Sequence, residues 1–146
     1  MTAEDNKARM QRYYIEVWQH GNMAVSDELI APDAVDHMPI PGQAAGRAGH
    51  DQLVHLIRQA FPDAEYTIDD LIAEDDRTVG RWTMRATHRG ELMGVPPTGN
   101  AVVMSGIDIV RWQNGQLVEI WHIEDRLSML QQLGVIPSRA QAVPSY

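Results

Sequence analysis

At Pro62 the spacing of apolar residues changes, and that change constrains the fold more than any other feature. Before it, apolar residues recur every three or four positions; after it, they alternate. Met10, Tyr13, Tyr14, Val17 and Trp18 share one helical face, which predicts a helix over 3–20 that stops at "HGN". "SDELI" reads as a further short helix with Ser26 as its N-cap and Pro32 as its end. "AVDHMPIPG", from Ala34, reads as an extended piece entering a Pro/Gly loop. A helix over 46–61 follows, with Leu53, Leu56, Ile57, Ala60 and Phe61 on its apolar face.

Beyond Pro62 the segments "AEYTIDDLIAEDD", "RTVGRWTMRATHRGELM", "AVVMSGIDIVRW" and "QLVEIWHIED" read as strands. Turn chemistry separates them: Asp75-Asp76, "GVPPTGN" at 94–100, and Asn114-Gly115. A last helix, "LSMLQQLG", is opened by Asp125 and closed by Gly134. The tail "VIPSRAQAVPSY" carries two prolines and is expected to be mobile or to dock on a partner subunit. Helices followed by antiparallel strands predict one α+β domain over 1–146. Its helices pack on the concave face of a curved antiparallel sheet, around a deep pocket.

Composition removes several functions. A chain of 146 residues suits one core. It has no cysteine, which excludes disulfides, thiolate nucleophiles, Cys-ligated zinc and iron–sulfur clusters. "HIE" at 122–124 therefore lacks the cysteine pair of a zinc deaminase. The net charge of −8, with no basic stripe, argues against nucleic acid, anionic membrane and highly anionic substrates. No apolar run approaches the roughly 18 residues of a spanning helix. The charged N-terminus "MTAEDNKARMQRYY" lacks a signal core, so a cytoplasmic location is expected.

"EIWHIED" holds the first candidate for chemistry, a histidine inside a strand. Alternation places Val118, Ile120, His122 and Glu124 on one face, and Leu117, Glu119, Trp121, Ile123 and Asp125 on the other. On the preceding strand Met104, Gly106, Asp108 and Val110 alternate with Ser105, Ile107, Ile109 and Arg111. A two-residue loop at Asn114-Gly115 sets Asp108 opposite Trp121, away from His122. A three-residue loop pairs Asp108 with Ile120, diagonally beside His122. The residues alone leave both registers open. His122 then reads either as a structurally bonded strand histidine or as an acid/base group with Asp108 as its partner.

Trp82, Met84, Ala86 and His88 share a strand face directed at the pocket, where Trp82 and Met84 suit a flat apolar ligand as well as a core. Met104 and Ile120 join them, with Tyr14 and Trp18 from the first helix and His37 near the mouth. Glu124 reads as a rim or capping group. His37, His88 and His122 lack a metal-ligand spacing, and His50 and His55 do not share a helix face, so no metal is expected. Ile107, Ile109, Trp121 and Ile123 make an outward face too apolar to leave wet, which predicts a covering subunit.

The segment "LMGVPPTGNAVVMSGIDIVRWQNGQLVEIWHIEDRLSMLQQLG" (92–134) resembles the SnoaL-like polyketide cyclase family. The resemblance rests on "G-x-P-P-T", the strand with its "NG" turn, "W-x-x-x-D" and "L-x-Q-L-G", and extends to "APDAVDHMPIPG" and the helix from Gly46. It implies an NTF2-like cone and an intramolecular aldol closure of an aromatic polyketide, in antibiotic biosynthesis. It also implies no metal, no cofactor, and assembly as a homodimer or homotetramer. The family's catalytic aspartate matches His122 and its histidine matches Asp108, an exchange of residue types that keeps both as catalytic candidates. In this reading His122 shuttles the proton, Asp108 orients it, and the hairpin has the three-residue loop. The same fold hosts isomerases, dehydratases, epoxide hydrolases, oxygenation partners and ligand-binding modules, which stand as alternatives.

Overall fold

In the computed structural model, residues 2–137 are described. The expectation for the tail lies largely outside them. Four α-helices and five strands follow in the order α1 (Ala3–Arg12), α2 (Met23–Leu29), β1 (Ile30–Asp36), α3 (Gly46–Ala60), β2 (Glu65–Glu74), β3 (Arg77–Thr87), β4 (Ala101–Gln113), β5 (Gln116–Glu124) and α4 (Arg126–Gln132). The sheet order is β1-β5-β4-β3-β2. Pairs β2–β3, β3–β4 and β4–β5 are antiparallel as expected, but β1 runs parallel to β5 at the edge. No helix among the described residues is long and apolar enough to cross a membrane.

The first helix departs from expectation in its second half. From Tyr13 to Gln19 the backbone widens into a π-helix. The His20 N–H bonds Ile15 O, five residues back, at 3.0 Å. Such segments concentrate at functional sites. Here the widening lets Trp18 Nε1 reach the Tyr13 hydroxyl, also five residues back, at 2.9 Å. Ser26 does not cap α2; Asn22 does, accepting from Val25 N–H. Ser26 is instead buried inside the helix.

The last hairpin has neither expected register. Gln113 pairs with Gln116 across a two-residue loop, with Asn114 and Gly115 both at positive φ (52° and 76°). Trp112 then pairs with Leu117, but Arg111 pairs with Glu119. Val118 is the unmatched residue of a bulge. The bulge turns Leu117 inward beside Ile120, against the expected alternation, and it sets Asp108 directly opposite His122. The two side chains thus share the concave face despite the short loop.

Candidate functional site

Asp108 sits where β4 runs under the first helix. It is 6% exposed, and its seat is made by two glycines. Gly80 is its partner on β3, and a Cβ there would lie 2.1 Å from the Tyr14 hydroxyl. Gly106 precedes it on the same face, and a Cβ there would lie 2.3 Å from the Trp82 indole. Glycine in a strand interior weakens the strand unless another group needs the space. Here two groups use it: Tyr14 O–H donates to Asp108 Oδ2 at 2.8 Å, and Trp82 Nε1–H donates to the same oxygen at 3.0 Å. Among the described residues Oδ1 accepts no hydrogen bond and is not sealed from the pocket. Burial disfavours the charged form and pushes the Asp108 carboxyl up to about 7, against the two donors and the nearby His122.

His122 lies across the strand pair, where facing Cβ atoms stand about 5 Å apart. Its ring is not oriented by Asp108. Nε2 bonds Asp36 Oδ1 at 2.9 Å, and Nδ1 bonds Glu124 Oε1. Asp36 reaches it because the parallel β1–β5 pairing brings the end of β1 beside Ile120. Glu124 is two residues along β5, on the same face. Burial works against the imidazolium, yet the two carboxylates hold its pKa up at about 10. Burial likewise opposes ionised Asp36, but His122, Gln43 and the Met38 N–H bring its carboxyl down to about 2. The two flanking carboxylates thus favour the imidazolium form of His122. The ring is oriented by Asp36 and Glu124 where Asp108 was expected to orient it.

The pocket opens between the sheet and the helices. Asp108, His122, Trp82, Met104, Ile120, Tyr14 and Trp18 all line it. His37, Met84 and His88 do not. His37 follows Asp36 and so turns to the other side, stacked on Trp121 with ring centroids 4.5 Å apart and bonded to Glu119 at 3.1 Å. Met84 is fully enclosed core. His88 is also fully buried, its Nδ1 accepting from Thr98 N–H at 3.1 Å to hold the 94–100 loop. Residues the sequence did not single out for the site complete the wall: Asp36, Tyr13, His50, Tyr66, Ile40, Met93, Arg126 and Met129. The mid-strand glycines flanking Trp82 and Asp108 were the available signal for the seat.

The SnoaL-like polyketide cyclase model matches residues 8–133. Among curated proteins none matches the chain. Wild-type IdmH of Streptomyces antibioticus, provisionally assigned as a polyketide cyclase, is 36% identical with a TM-score of 0.76, over 88% of this chain and 97% of that one. AclR of Streptomyces galilaeus, provisionally assigned as a hydroxylase, is 28% identical with a TM-score of 0.82, over 99% and 87%. TsrD of Streptomyces laurentii shares the fold at 24% identity and a TM-score of 0.84, over 93% and 99%. The fold is the NTF2-like α+β fold, and the chain belongs to the SnoaL-like polyketide cyclase family.

Proposed function

We propose that the protein closes a ring in a flat polyketide or related β-dicarbonyl ester by intramolecular aldol addition, with Asp108 as the base. One observation carries this reading: a buried carboxylate that, unlike Asp36 and Glu124 in the same pocket, is bonded by neutral donors and not by His122, with both donors on Oδ2, Oδ1 left open, and a pKa raised to about 7. A base is most effective when its pKa lies near the working pH. Oδ1 takes the proton from the carbon between two carbonyls. The His122 imidazolium, fixed by Asp36 and Glu124, stabilises the enolate by its charge. The aromatic walls of Trp82, Tyr66 and Trp18 suit a planar substrate.

Deuterium exchange at the α-carbon of an α-methylated aryl β-keto ester tests this. Wild type accelerates exchange and Asp108→Asn does not; equal rates overturn the reading. The 28% identity to AclR favours an oxygenation as the second reading. Product mass separates the two, since ring closure adds no atoms and hydroxylation adds one oxygen.

The outward faces of β4 and β5 support a homo-oligomer. Ile107 is 50% and Ile123 69% exposed there, while Trp121 is covered by His37 and Arg77. Sedimentation is expected to give a dimer or tetramer, and a monomer at micromolar concentration counts against it.

A further inference from the structure

The helical wall of the pocket holds a second polar chain that the proposed proton abstraction does not use. Trp18 Nε1 donates to the Tyr13 hydroxyl at 2.9 Å, and that hydroxyl lies 2.7 Å from His50 Nε2. His50 Nδ1 faces Asp51 Oδ1 at 3.4 Å, and Ser26 donates to the same oxygen at 2.5 Å. Tyr13 and His50 are 1% and 6% exposed, and both line the pocket beside Trp18. Tyr13 and Trp18 meet only because of the π-helical widening.

The donors fix the direction of the chain. An indole N–H only donates, so the Tyr13 oxygen accepts from Trp18. Among the described residues, the acceptor for its own hydrogen is His50 Nε2. Neutral His50 then carries its hydrogen on Nδ1, toward Asp51. Burial opposes the Asp51 charge, but His50 and Ser26 keep it ionised. The order carboxylate, imidazole, hydroxyl is the one that activates a hydroxyl in acyl transfer. It also works in reverse. When His50 holds a second proton, Nε2 becomes a donor to Tyr13. The Tyr13 oxygen then accepts twice, and its hydrogen is free to point into the pocket.

We propose that Tyr13 is the general acid that protonates the oxygen formed in ring closure, with His50 and Asp51 as its positioning residues. The proposal rests on Asp108 as the base. The accounting closes. Asp108 Oδ1 takes the α-proton, and the enolate carbon bonds the ketone carbon. The carbonyl π electrons move onto that ketone's oxygen. Tyr13 gives its proton to this oxygen as His50 Nε2 gives its own to Tyr13. His50 is left neutral on Asp51. After product leaves, Asp108 returns one proton to water, and as the next substrate binds His50 takes one from pocket water through the Tyr13 hydroxyl. No net charge or oxidation state changes.

Two reactions separate the roles: the exchange assay above, which needs only the base, and closure of 3-acetyloctane-2,7-dione, a triketone with a hydrogen on the carbon between two carbonyls and a third ketone tethered for a five-membered ring, which needs the acid as well. Tyr13→Phe is expected to lower closure kcat about 100-fold with little change in KM, and exchange less than threefold. His50→Gln still accepts the Tyr13 hydrogen but carries no proton to give, so it lowers closure alike. Asp51→Asn lowers it about tenfold. Tyr13→Phe that closes the triketone within twofold of wild type overturns the proposal. Asp108→Asn that still exchanges overturns the base reading instead. A turnover-free check uses dimedone, an enolate at neutral pH. Calorimetry in two buffers, in the Asp108→Asn background so that the carboxyl near 7 takes up nothing, is expected to show about one proton taken up on binding, and none when His50→Gln is added. Dimedone that does not bind, or binds without proton uptake, also overturns the proposal.

Discussion

Asp36 and Asp108 line the same pocket, and their carboxyls move in opposite directions, to about 2 and about 7. Both lose hydration, and both accept more than one hydrogen bond. The difference is what donates. Asp36 meets a cation at 2.9 Å, while Asp108 meets a phenol and an indole. Neutral donors return only part of the hydration that a buried carboxylate gives up, whereas an imidazolium returns it and more. His122 and its two carboxylates are thus one electrostatic unit, and Asp108, opposite but unbonded, is another.

The largest expected effect breaks the second unit. Asp108→Asn is expected to lower α-carbon exchange about 1000-fold. It should also stabilise the fold, by an amount that grows from about pH 4 and is complete above about 7. Between its ordinary value near 4 and about 7, folded Asp108 holds a proton that the unfolded chain releases, so its ionisation costs stability as pH rises through that window. Urea unfolding should show the variant more stable than wild type by a few kcal/mol at pH 8, roughly two pK units' worth or more, and no more stable at pH 4. A gain of equal size at both pH values would contradict the raised carboxyl.

Next in size is the pH profile of wild-type exchange. The rate should fall tenfold per unit below about 7 and stay level to about 9, because His122 remains charged until about 10. A bell centred near 6.5 would restore His122 as the titrating group. His122→Gln tests the first unit. It leaves Asp36 and Glu124 without their cation and should cost about 2 kcal/mol at pH 7, less than a fully enclosed pair because both carboxylates retain some solvent. His122 is raised from 6.5, so its contribution is complete below 6.5 and disappears through about 10. Wild type and variant should therefore converge in stability at high pH.

The smallest effects sharpen the seat. Gly80→Ala displaces the Tyr14 hydroxyl and should move the activity limb up by about one pH unit. Trp82→Phe keeps the wall and removes one donor, for a shift below one unit. If neither variant moves the limb, the donors on Oδ2 do not set the carboxyl.

Much of the fold was legible because periodicity reports which face of an element is buried. The switch at Pro62, the 46–61 helix and the four antiparallel strands follow from it, and so do Trp82, Met104, Ile120, Tyr14 and Trp18 on the pocket. What was not legible depends on contacts far apart in the chain. Asp36 joins His122 only through the parallel β1–β5 pairing, which no local pattern encodes. Tyr13 and His50 meet from separate helices, and a strict α-helix would keep Tyr13 and Trp18 apart. Two local features also misled. His37 looked like the pocket residue of "DH", whereas alternation gives that place to Asp36. Asn114-Gly115 correctly indicated a tight turn, but Val118, an ordinary β-branched residue, carries no mark of the bulge.

That bulge acts as a phase shifter. The turn sets one alignment between the two strands and the catalytic end uses another, so the tip and the floor of the pocket can be altered independently. Pairing Val118 with Arg111, with no bulge, would put β5 in step with its turn and set Trp121 opposite Asp108. His122 and Glu124 would rotate to the outer surface, and Trp121 and Ile123 would rotate into the pocket. One residue without a reactive group therefore decides which side of the strand is the chemical one.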